Sequence, residues 1–522
     1  MIGAGPASAW TAPPSHPMIL INPPIVKPSE PPAGLAALAG ALGAHGISHA
    51  VVDGNIEAIL WLIQKGPLGP LDTFTRRAWS RLAENLAFLR SWKGYAGNAR
   101  YRRAISEVNR ILERSGPPGT RLSLADYNED RFSPVKSSDL LHAALHHEEN
   151  AFYPYFRERF SGLLADSKQD VVVGLSLNYL SQAVCAFAIA GFVRLRCPRA
   201  KIVMGGGLVS AWMSSSTWAN PFDGLIDHFV SGPGESFLLS LAGIEAAGTD
   251  YCPSLDGLPL SSYLAPGPIL PYAASRGCYW RRCSFCPEKA QGARFSFRPS
   301  SQVVADLALL SEKHNPVLIH LVDNAVSPAL MAAMIASPPP APWYGFARIT
   351  PELADRDFCV QLRASGCVML KLGLESGDQD LLDALGKGTS LDVAAKALSA
   401  LKEAGIGTYV YLLFGTPMED LSRARKSLSF VASHSASIDF INLAVFNLPV
   451  DCEEAKGLDV RPFYGGDLSL YTDFVHPRDF GRREVRKFLD REFKTHPAIR
   501  PILLRRPPLF TSNHAPFFCT YS

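Results

Sequence analysis

Short, wholly apolar runs alternate with longer helical stretches along most of this chain, and that alternation limits the fold more than any other feature. Met18-Ile-Leu-Ile-Asn-Pro-Pro24 is an apolar run stopped by prolines, which predicts a strand entering a loop. Gly34–His45 reads as a small-residue helix and Ala50–Asp53 as a second strand. Asp170–Leu175, Lys201–Met204 and Ile226–Val230 repeat the strand pattern, with a helix over Ala183–Leu195. Beyond a Pro-rich join, strands are predicted at Val317–Val322, Trp343–Ile349, Val368–Leu372, Thr408–Phe414 and Phe440–Phe446, with helices such as Ser300–His314 and Leu391–Ala404 between them. Strands apolar on both faces need cover on both faces, so the pattern predicts parallel sheets wrapped by helices.

At 522 residues the chain is too long for one ordinary domain. We expect a tail over residues 1–17, a parallel-sheet domain over 18–250 with a helical insertion at 66–165, and a linker over 251–270. A full or partial parallel barrel then covers 271–450, and an extension runs over 451–522. The insertion has its own texture, with charged helical stretches at Arg76–Arg90 and Tyr101–Arg114. Parallel barrels build their sites at the C-terminal ends of the strands.

Hydrophobic residues make up 47% of the chain and charged residues 19%, a balance that suits a large core and argues against disorder. The net charge of +3 gives no reason to expect nucleic acid as a partner. The longest apolar run, Ala183–Val193, falls short of the roughly 18 residues that span a bilayer, so no membrane segment is expected. The first 17 residues carry no Lys or Arg, unlike a secretory signal, and Ile2-Gly-Ala-Gly5-Pro-Ala-Ser8 imitates a dinucleotide fingerprint without the preceding strand such a motif needs. Ten cysteines in a chain this long do not form a secreted disulfide framework, and a reducing cytoplasm is the expected setting.

Three of those cysteines lie within nine residues, in Ser275-Arg-Gly-Cys278-Tyr-Trp-Arg-Arg-Cys283-Ser-Phe-Cys286-Pro. Local runs of thiolate ligands are the sequence sign of iron–sulfur clusters. Three thiolates would hold three corners of a cubane and leave one iron open. A zinc site would be closed by a fourth ligand, and no paired CxxC or HxxxH follows nearby; inert core cysteines are the remaining alternative. Arg276, Arg281 and Arg282 stand among the cysteines and are expected to lower the thiol pKa values.

This loop resembles the signature of the radical S-adenosylmethionine (SAM) superfamily, with four residues in the first gap where CxxxCxxC is usual. The resemblance implies a 4Fe-4S cluster on Cys278, Cys283 and Cys286. It also implies SAM on the fourth iron and one-electron cleavage to a 5′-deoxyadenosyl radical. Phe285 stands where the family packs an aromatic near the adenine. Lys371-Leu-Gly-Leu-Glu375-Ser376-Gly resembles the family's Gly-x-Glu-Ser strand, and Leu413-Phe-Gly415-Thr-Pro-Met-Glu419 its later Gly-x-Pro-x-Glu turn. Asp323 and Asn324 fall where the second strand ends in a polar pair, and Arg348 ends the third. The implied SAM contacts are Phe285, Arg348, Glu375, Ser376 and Gly415. No catalytic side chain is singled out.

A parallel α/β domain ahead of such a barrel resembles the cobalamin-binding branch of that superfamily. The implied fold class is α/β: an N-terminal Rossmann-like domain of the cobalamin-binding type, then a partial or full TIM-like (β/α) radical SAM barrel. The matching pieces include Asn22-Pro-Pro, Gly174-Leu-Ser176, Gly205-Gly206 and Gly232-Pro-Gly-Glu235. Asn22, Ser176, Gly205 and Gly206 are the implied cobalamin contacts. Asp53-Gly-Asn55-Ile-Glu57 lacks the His of methionine-synthase modules, so no His ligand to cobalt is expected.

Residues 482–506 hold nine Lys or Arg against three acids, which fits a solvated helical face, an anionic substrate or an electron-donor patch. The aromatics around His514 are expected to pack on the barrel, and Asn442 and Asn447 to lie on or just after a late barrel strand. By resemblance the leading activity is cobalamin-associated methylation of an unactivated centre. The alternatives are a radical rearrangement, ring contraction or sulfur insertion, and a non-catalytic iron–sulfur binding or regulatory protein. The expected partners are a small-molecule or peptide substrate and an electron donor such as flavodoxin or ferredoxin.

Overall fold

The computed structural model describes residues 18–165, 171–245, 248, 250–463, 465–507 and 512–519. The tail expected over residues 1–17, and with it the imitation fingerprint, lies outside them.

The first sheet has five parallel strands: β1 (Met18–Ile21), β2 (His49–Val52), β3 (Val172–Ser176), β4 (Lys201–Gly205) and β5 (His228–Val230). Their spatial order is β2-β1-β3-β4-β5. The order reverses between β1 and β3, and in open parallel sheets ligands bind in the crevice at that reversal, beyond the C-terminal strand ends. β1 is buried at all four positions, which is why its sequence lacks polar alternation. The long gap before β3 is filled mostly by helices, including Thr73–Ser80, Leu82–Leu89, Asn98–Ser115 and Tyr153–Ala165, with one short hairpin. They bury the second face of the sheet, where Ile19, Val173 and Ile202 share a core with Tyr101, Ile111 and Phe156.

The second sheet has six parallel strands: β6 (Ile269–Tyr272), β7 (Leu318–Leu321), β8 (Trp343–Ala347), β9 (Cys367–Glu375), β10 (Gly407–Phe414) and β11 (Phe440–Val445). They run in order, with β6 and β11 as the two edges, so the barrel is partial. The expected linker already contains the start of β6. Its prolines hid the strand, but Pro271 is tolerated because β6 is an edge strand and needs fewer ladder donors.

The two sheets are packed together, not merely tethered. One apolar core runs from Leu35, Ala39 and Leu42 through Leu255 and Leu258 to Leu307 and Leu310 of the barrel. A Cβ on Gly40 would fall 2.1 Å from the Cys252 carbonyl, so the join lies directly on that helix. Asp53 caps the helix Gly54–Lys65 through Asn55 N–H, and its buried carboxylate also accepts from Tyr263 Oη at 2.5 Å and Asn22 Nδ2 at 2.8 Å. Burial pushes that carboxyl up to about 6.

A second tie reaches into the barrel. Glu30, on the proline-rich loop after β1, meets His320 Nδ1 at 2.8 Å, and His320 Nε2 lies 3.1 Å from the buried Lys371 amine. Charged groups so deeply buried persist only when paired.

The C-terminal extension forms a three-stranded antiparallel sheet and the helices Arg482–Phe488 and Arg500–Arg505. Of the aromatics expected to pack on the barrel, Phe518 does so, against Phe440, whereas Phe517 packs on Tyr95 and Tyr101 of the insertion; His514 itself lies against Tyr409 and Phe440. Asn442 lies on β11, and Asn447, just beyond it, accepts from Arg482. No helix among the described residues is long and apolar enough to cross a membrane.

Candidate cofactor site

The cysteine loop follows β6 directly, at the C-terminal end of the barrel. Asp323, just beyond β7, fixes its start by accepting from Ala274 N–H at 3.1 Å and Ser275 Oγ at 2.5 Å. Ser275 and Arg276 then pair antiparallel with Ser296 and Phe297, which closes the loop at its base. Cys278, Cys283 and Cys286 are all half-buried free thiols, and Cys286 immediately precedes the short helix Pro287–Ala290.

The far side of the loop is clamped by the segment after β9. Trp280 Nε1 donates to Gly386 O at 2.8 Å and Ser284 N–H to Leu385 O at 3.0 Å. Gly388 has φ +65°, and a Cβ there would stand 2.0 Å from the Trp280 ring. Only glycine meets both demands.

Three predicted SAM contacts converge here. The Arg348 guanidinium lies 4.3 Å from the Trp280 ring centroid and its Nη1 3.8 Å from Cys283 Sγ. Glu375, at the end of β9, adopts φ +67° at a register shift and pairs with Lys387 Nζ at 2.9 Å. That conformation costs a non-glycine residue about 1–3 kcal/mol, and the ion pair helps hold it. Lys387 Nζ in turn lies 5.7 Å from the Phe285 ring centroid. The pairing of Lys387 with Glu375 across 12 residues has no signal in the sequence.

The other two do not present free polar groups. Ser376 is buried, with its Oγ 3.0 Å from Ser427 Oγ and accepting from Asp378 N–H. The Gly415 N–H donates to Glu419 at 2.5 Å. Both shape the turns beneath the site.

The arginines of the loop do not act on the thiols as expected. Arg276 is turned away to form an ion pair with Glu235 of the first domain, and Arg281 and Arg282 are exposed to solvent. Burial pushes both the Cys283 and the Cys286 thiol up, and the cations opposing it at Cys283 are Lys387 and Arg348.

The donor set suits a cubane better than a single ion. Among the described residues no group of three or more His, Cys, Asp or Glu side chains is placed to share one metal ion. A four-iron cluster asks for one thiolate per iron, and three thiols on one cation-flanked loop match that demand.

Between this loop and the first sheet lies a cavity of about 620 Å³. Its first wall is built from the strand ends at the sheet's reversal point, with Gly174, Ser176, Gly205 and Gly206. Its second is Arg276, Gly277 and Arg294 of the cysteine loop and its base. Gly206 has φ +110°, and a Cβ there would lie 2.5 Å from Leu177 O. Asn178, unremarked in the sequence, joins the two strand ends by donating to Ser176 Oγ at 3.0 Å and accepting from Gly207 N–H at 2.9 Å. Among the described residues no His lines the cavity. Asn22 does not line it either: its side chain is buried and engaged by Asp53 and Gln182. The volume is within the ~300–1,000 Å³ of cofactor sites, and a floor of bare glycines lets a flat ligand lie against backbone.

Residues 272–431 match the family model of the radical SAM superfamily. An uncharacterized methyltransferase of Pyrococcus horikoshii is 23% identical over 201 residues, covering 37% of this chain. The chain spans only 43% of that relative's length. Among solved structures, the radical S-adenosylmethionine methyltransferase TsrM from Kitasatospora setae, bound to tryptophan substrate and a SAM analogue, aligns over 86% of this chain and 79% of its own, with 17% identity and a TM-score of 0.50. The cobalamin-dependent S-adenosylmethionine radical enzyme OxsB, bound to aqua-cobalamin and SAM, aligns over 80% of this chain and 52% of its own, with 15% identity and a TM-score of 0.50. Residues 272–431 thus carry a radical SAM superfamily domain, and a Rossmann-like domain ahead of a partial barrel is the fold that this chain shares with the two solved structures.

Proposed function

We propose that this enzyme is a cobalamin-associated radical SAM methyltransferase that modifies an unactivated centre of a small molecule or peptide. The observation that carries the reading is the shared cavity, which has the glycine-lined strand ends on one wall and the cysteine loop on the other. A corrinoid seated on Ser176, Gly205 and Gly206 would face the loop that holds the cluster.

In this reading Cys278, Cys283 and Cys286 hold a 4Fe-4S cluster, and Phe285, Arg348 and Glu375 surround SAM. When bound, the cluster supplies the electron that cleaves the sulfonium and the corrinoid carries the methyl group. The chain's own residues do the positioning. Arg348 and Lys387 put positive charge beside Cys283, which offsets part of the upward push that burial gives its thiol. The Glu375–Lys387 pair fixes a carboxylate within the site, where it can accept from a bound ligand's ammonium or hydroxyl. Asp323 and the Trp280 clamp fix both ends of the loop, so that the thiols are preorganised. Leu20, Leu38, Val203 and Phe237 give the corrinoid side of the cavity an apolar wall.

The test is anaerobic reconstitution with iron, sulfide and hydroxocobalamin, followed by gel filtration and incubation with methyl-labelled SAM and cell extract. The reading expects co-eluting iron and corrinoid, and label transferred to an extract component. Iron without corrinoid would sink the methyl-transfer reading and favour a radical rearrangement.

A further inference from the structure

Four Lys or Arg side chains are buried among the described residues: Arg298, Arg348, Lys371 and Lys387. Three of them reach an oxygen. Arg298 faces Asp306 at 3.7 Å, Arg348 donates to Lys387 O, and Lys387 pairs with Glu375 at 2.9 Å. Lys371 does not. It is 3% exposed, its hydrogen bond is to His320 Nε2 at 3.1 Å, and its amine lies 5.0 and 4.8 Å from the ring centroids of Tyr344 and Phe346. The ionised Glu30 accepts from His320 Nδ1, so Nε2 is left to accept from Lys371. An ammonium has three donors, and this contact uses one. Lys27, on the loop that carries Glu30, and Arg506, near Tyr409 and Tyr411, add positive charge around the same spot. Three cations there share the Glu30 carboxylate.

Lys371 lies on the inner face of the barrel, below the cofactor site. The inner positions above it, Phe346, Gly373, Glu375 and Tyr411, are half-exposed, whereas the helix-facing Ala347, Leu372, Leu374 and Leu412 between them are buried. The inner face therefore opens onto a lumen. Its bottom is closed, where Ala515 and Phe518 pack with Leu318, Tyr344 and Tyr409. A lumen with one mouth admits the end of a molecule, not its middle. The Phe346 and Tyr411 rings stand 4.9 Å apart between the amine and the mouth. A Cβ on Gly373 would lie 2.6 Å from Glu375 Oε1 and 2.7 Å from Lys387 Nζ, so glycine keeps the way from Lys371 to Glu375 open. Four residues of strand make that way about 13 Å long.

We propose that this lumen holds the substrate by a terminal carboxylate on Lys371, with the substrate's apolar body against Phe346 and Tyr411. The proposal rests on the function proposed above and names the substrate class: a free acid with several carbons between its carboxylate and its reacting atom. A small organic acid and the C-terminal residue of a peptide share that chemistry. Burial pushes the Lys371 amine down to about 8, which still leaves most of it charged at neutral pH. A buried ammonium gains most from an ionised acceptor, because N⁺–H···O⁻ bonds are about twice as strong as neutral ones. The primary amide of the same molecule fills the lumen equally well but brings no charge.

The experiment titrates the anaerobically reconstituted enzyme with two probes, 4-phenylbutyrate and the tripeptide glycyl-glycyl-phenylalanine, each beside its primary amide. Binding is read from ligand-observed nuclear magnetic resonance. We expect at least one acid to bind about tenfold or more tightly than its amide, and which acid does so separates a small-molecule from a peptide substrate. Lys371→Met, a change of similar volume, is expected to abolish that preference and to retain the iron. The proposal is overturned if neither acid binds, if acid and amide bind alike, or if the preference survives in Lys371→Met. The comparison of acid with amide uses the wild-type chain alone, so it stands even if the variant does not fold. Iron and corrinoid are measured on the same samples. A preference for the acid in a protein without corrinoid would sink the methyl-transfer reading and leave the lumen assignment in place.

Discussion

Glu235 of the first domain and Arg276 of the cysteine loop form an ion pair across one end of the cofactor cavity. Glu235 is 3% exposed and Arg276 32%, so the two partners are not equivalent. Replacing Arg276 by Met strands a buried carboxylate, whereas replacing Glu235 by Gln leaves an arginine that water can reach. Arg276→Met is expected to lose about 2–3 kcal/mol of stability and Glu235→Gln about 1 kcal/mol, read from thermal unfolding. Both variants should also weaken hydroxocobalamin binding.

The cysteines divide into two groups. Replacement of Cys278, Cys283 or Cys286 by Ala is expected to remove most reconstituted iron and its visible absorbance. Cys197 and Cys359 are buried elsewhere, and their Ala variants should retain the iron at about 1–2 kcal/mol of lost packing. Iron analysis of the five proteins checks the division.

Glu419 lies fully buried under the turn after β10, with one oxygen accepting from Gly415 N–H and the other without a partner. Burial pushes its carboxyl up to about 8. The folded state then binds the proton more tightly than the unfolded chain, where the ordinary value is 4.5. Stability from this group is present in full below pH 4.5, declines as pH rises, and is gone above about 8. Between pH 5 and 8, Glu419→Gln is expected to flatten the fall in melting temperature seen in the wild-type protein.

Gly206→Ala places a methyl group against Leu177 O in a backbone conformation that disfavours side chains. The variant should lose about 1–3 kcal/mol and bind hydroxocobalamin more weakly, because the strand end that forms the cavity floor must move. Gly162→Ala, in open space on a helix, should be neutral or slightly stabilising and is the control.

Much of this was legible in the sequence because apolar strands report their burial directly. β1, β7 and β10 begin and end within a residue or two of their predicted limits. β6 was missed because Pro271 reads locally as a breaker, and only its place at the sheet edge makes it acceptable. At the site, the three cysteines, Arg348 and Glu375 could be named from spacing and motif. Lys387, Trp280 and Asn178 could not, since each matters through a partner about 12, 106 or 29 residues away. Asn22 and Ser376 were named for cofactors yet serve loops. A motif shows that a residue type is wanted, not which neighbour claims its hydrogen bonds. The arginines of the loop misled for the same reason: proximity in sequence put them among the thiols, and the fold turned one toward Glu235 and two toward solvent.

The account stands on a cubane held by three thiols with its fourth iron open to SAM. Electron paramagnetic resonance of the reconstituted, reduced protein, recorded before and after SAM is added, tests this most directly. The account predicts a reduced four-iron signal whose shape changes when SAM binds. A signal indifferent to SAM, or no four-iron signal from a protein with intact Cys278, Cys283 and Cys286, would contradict it.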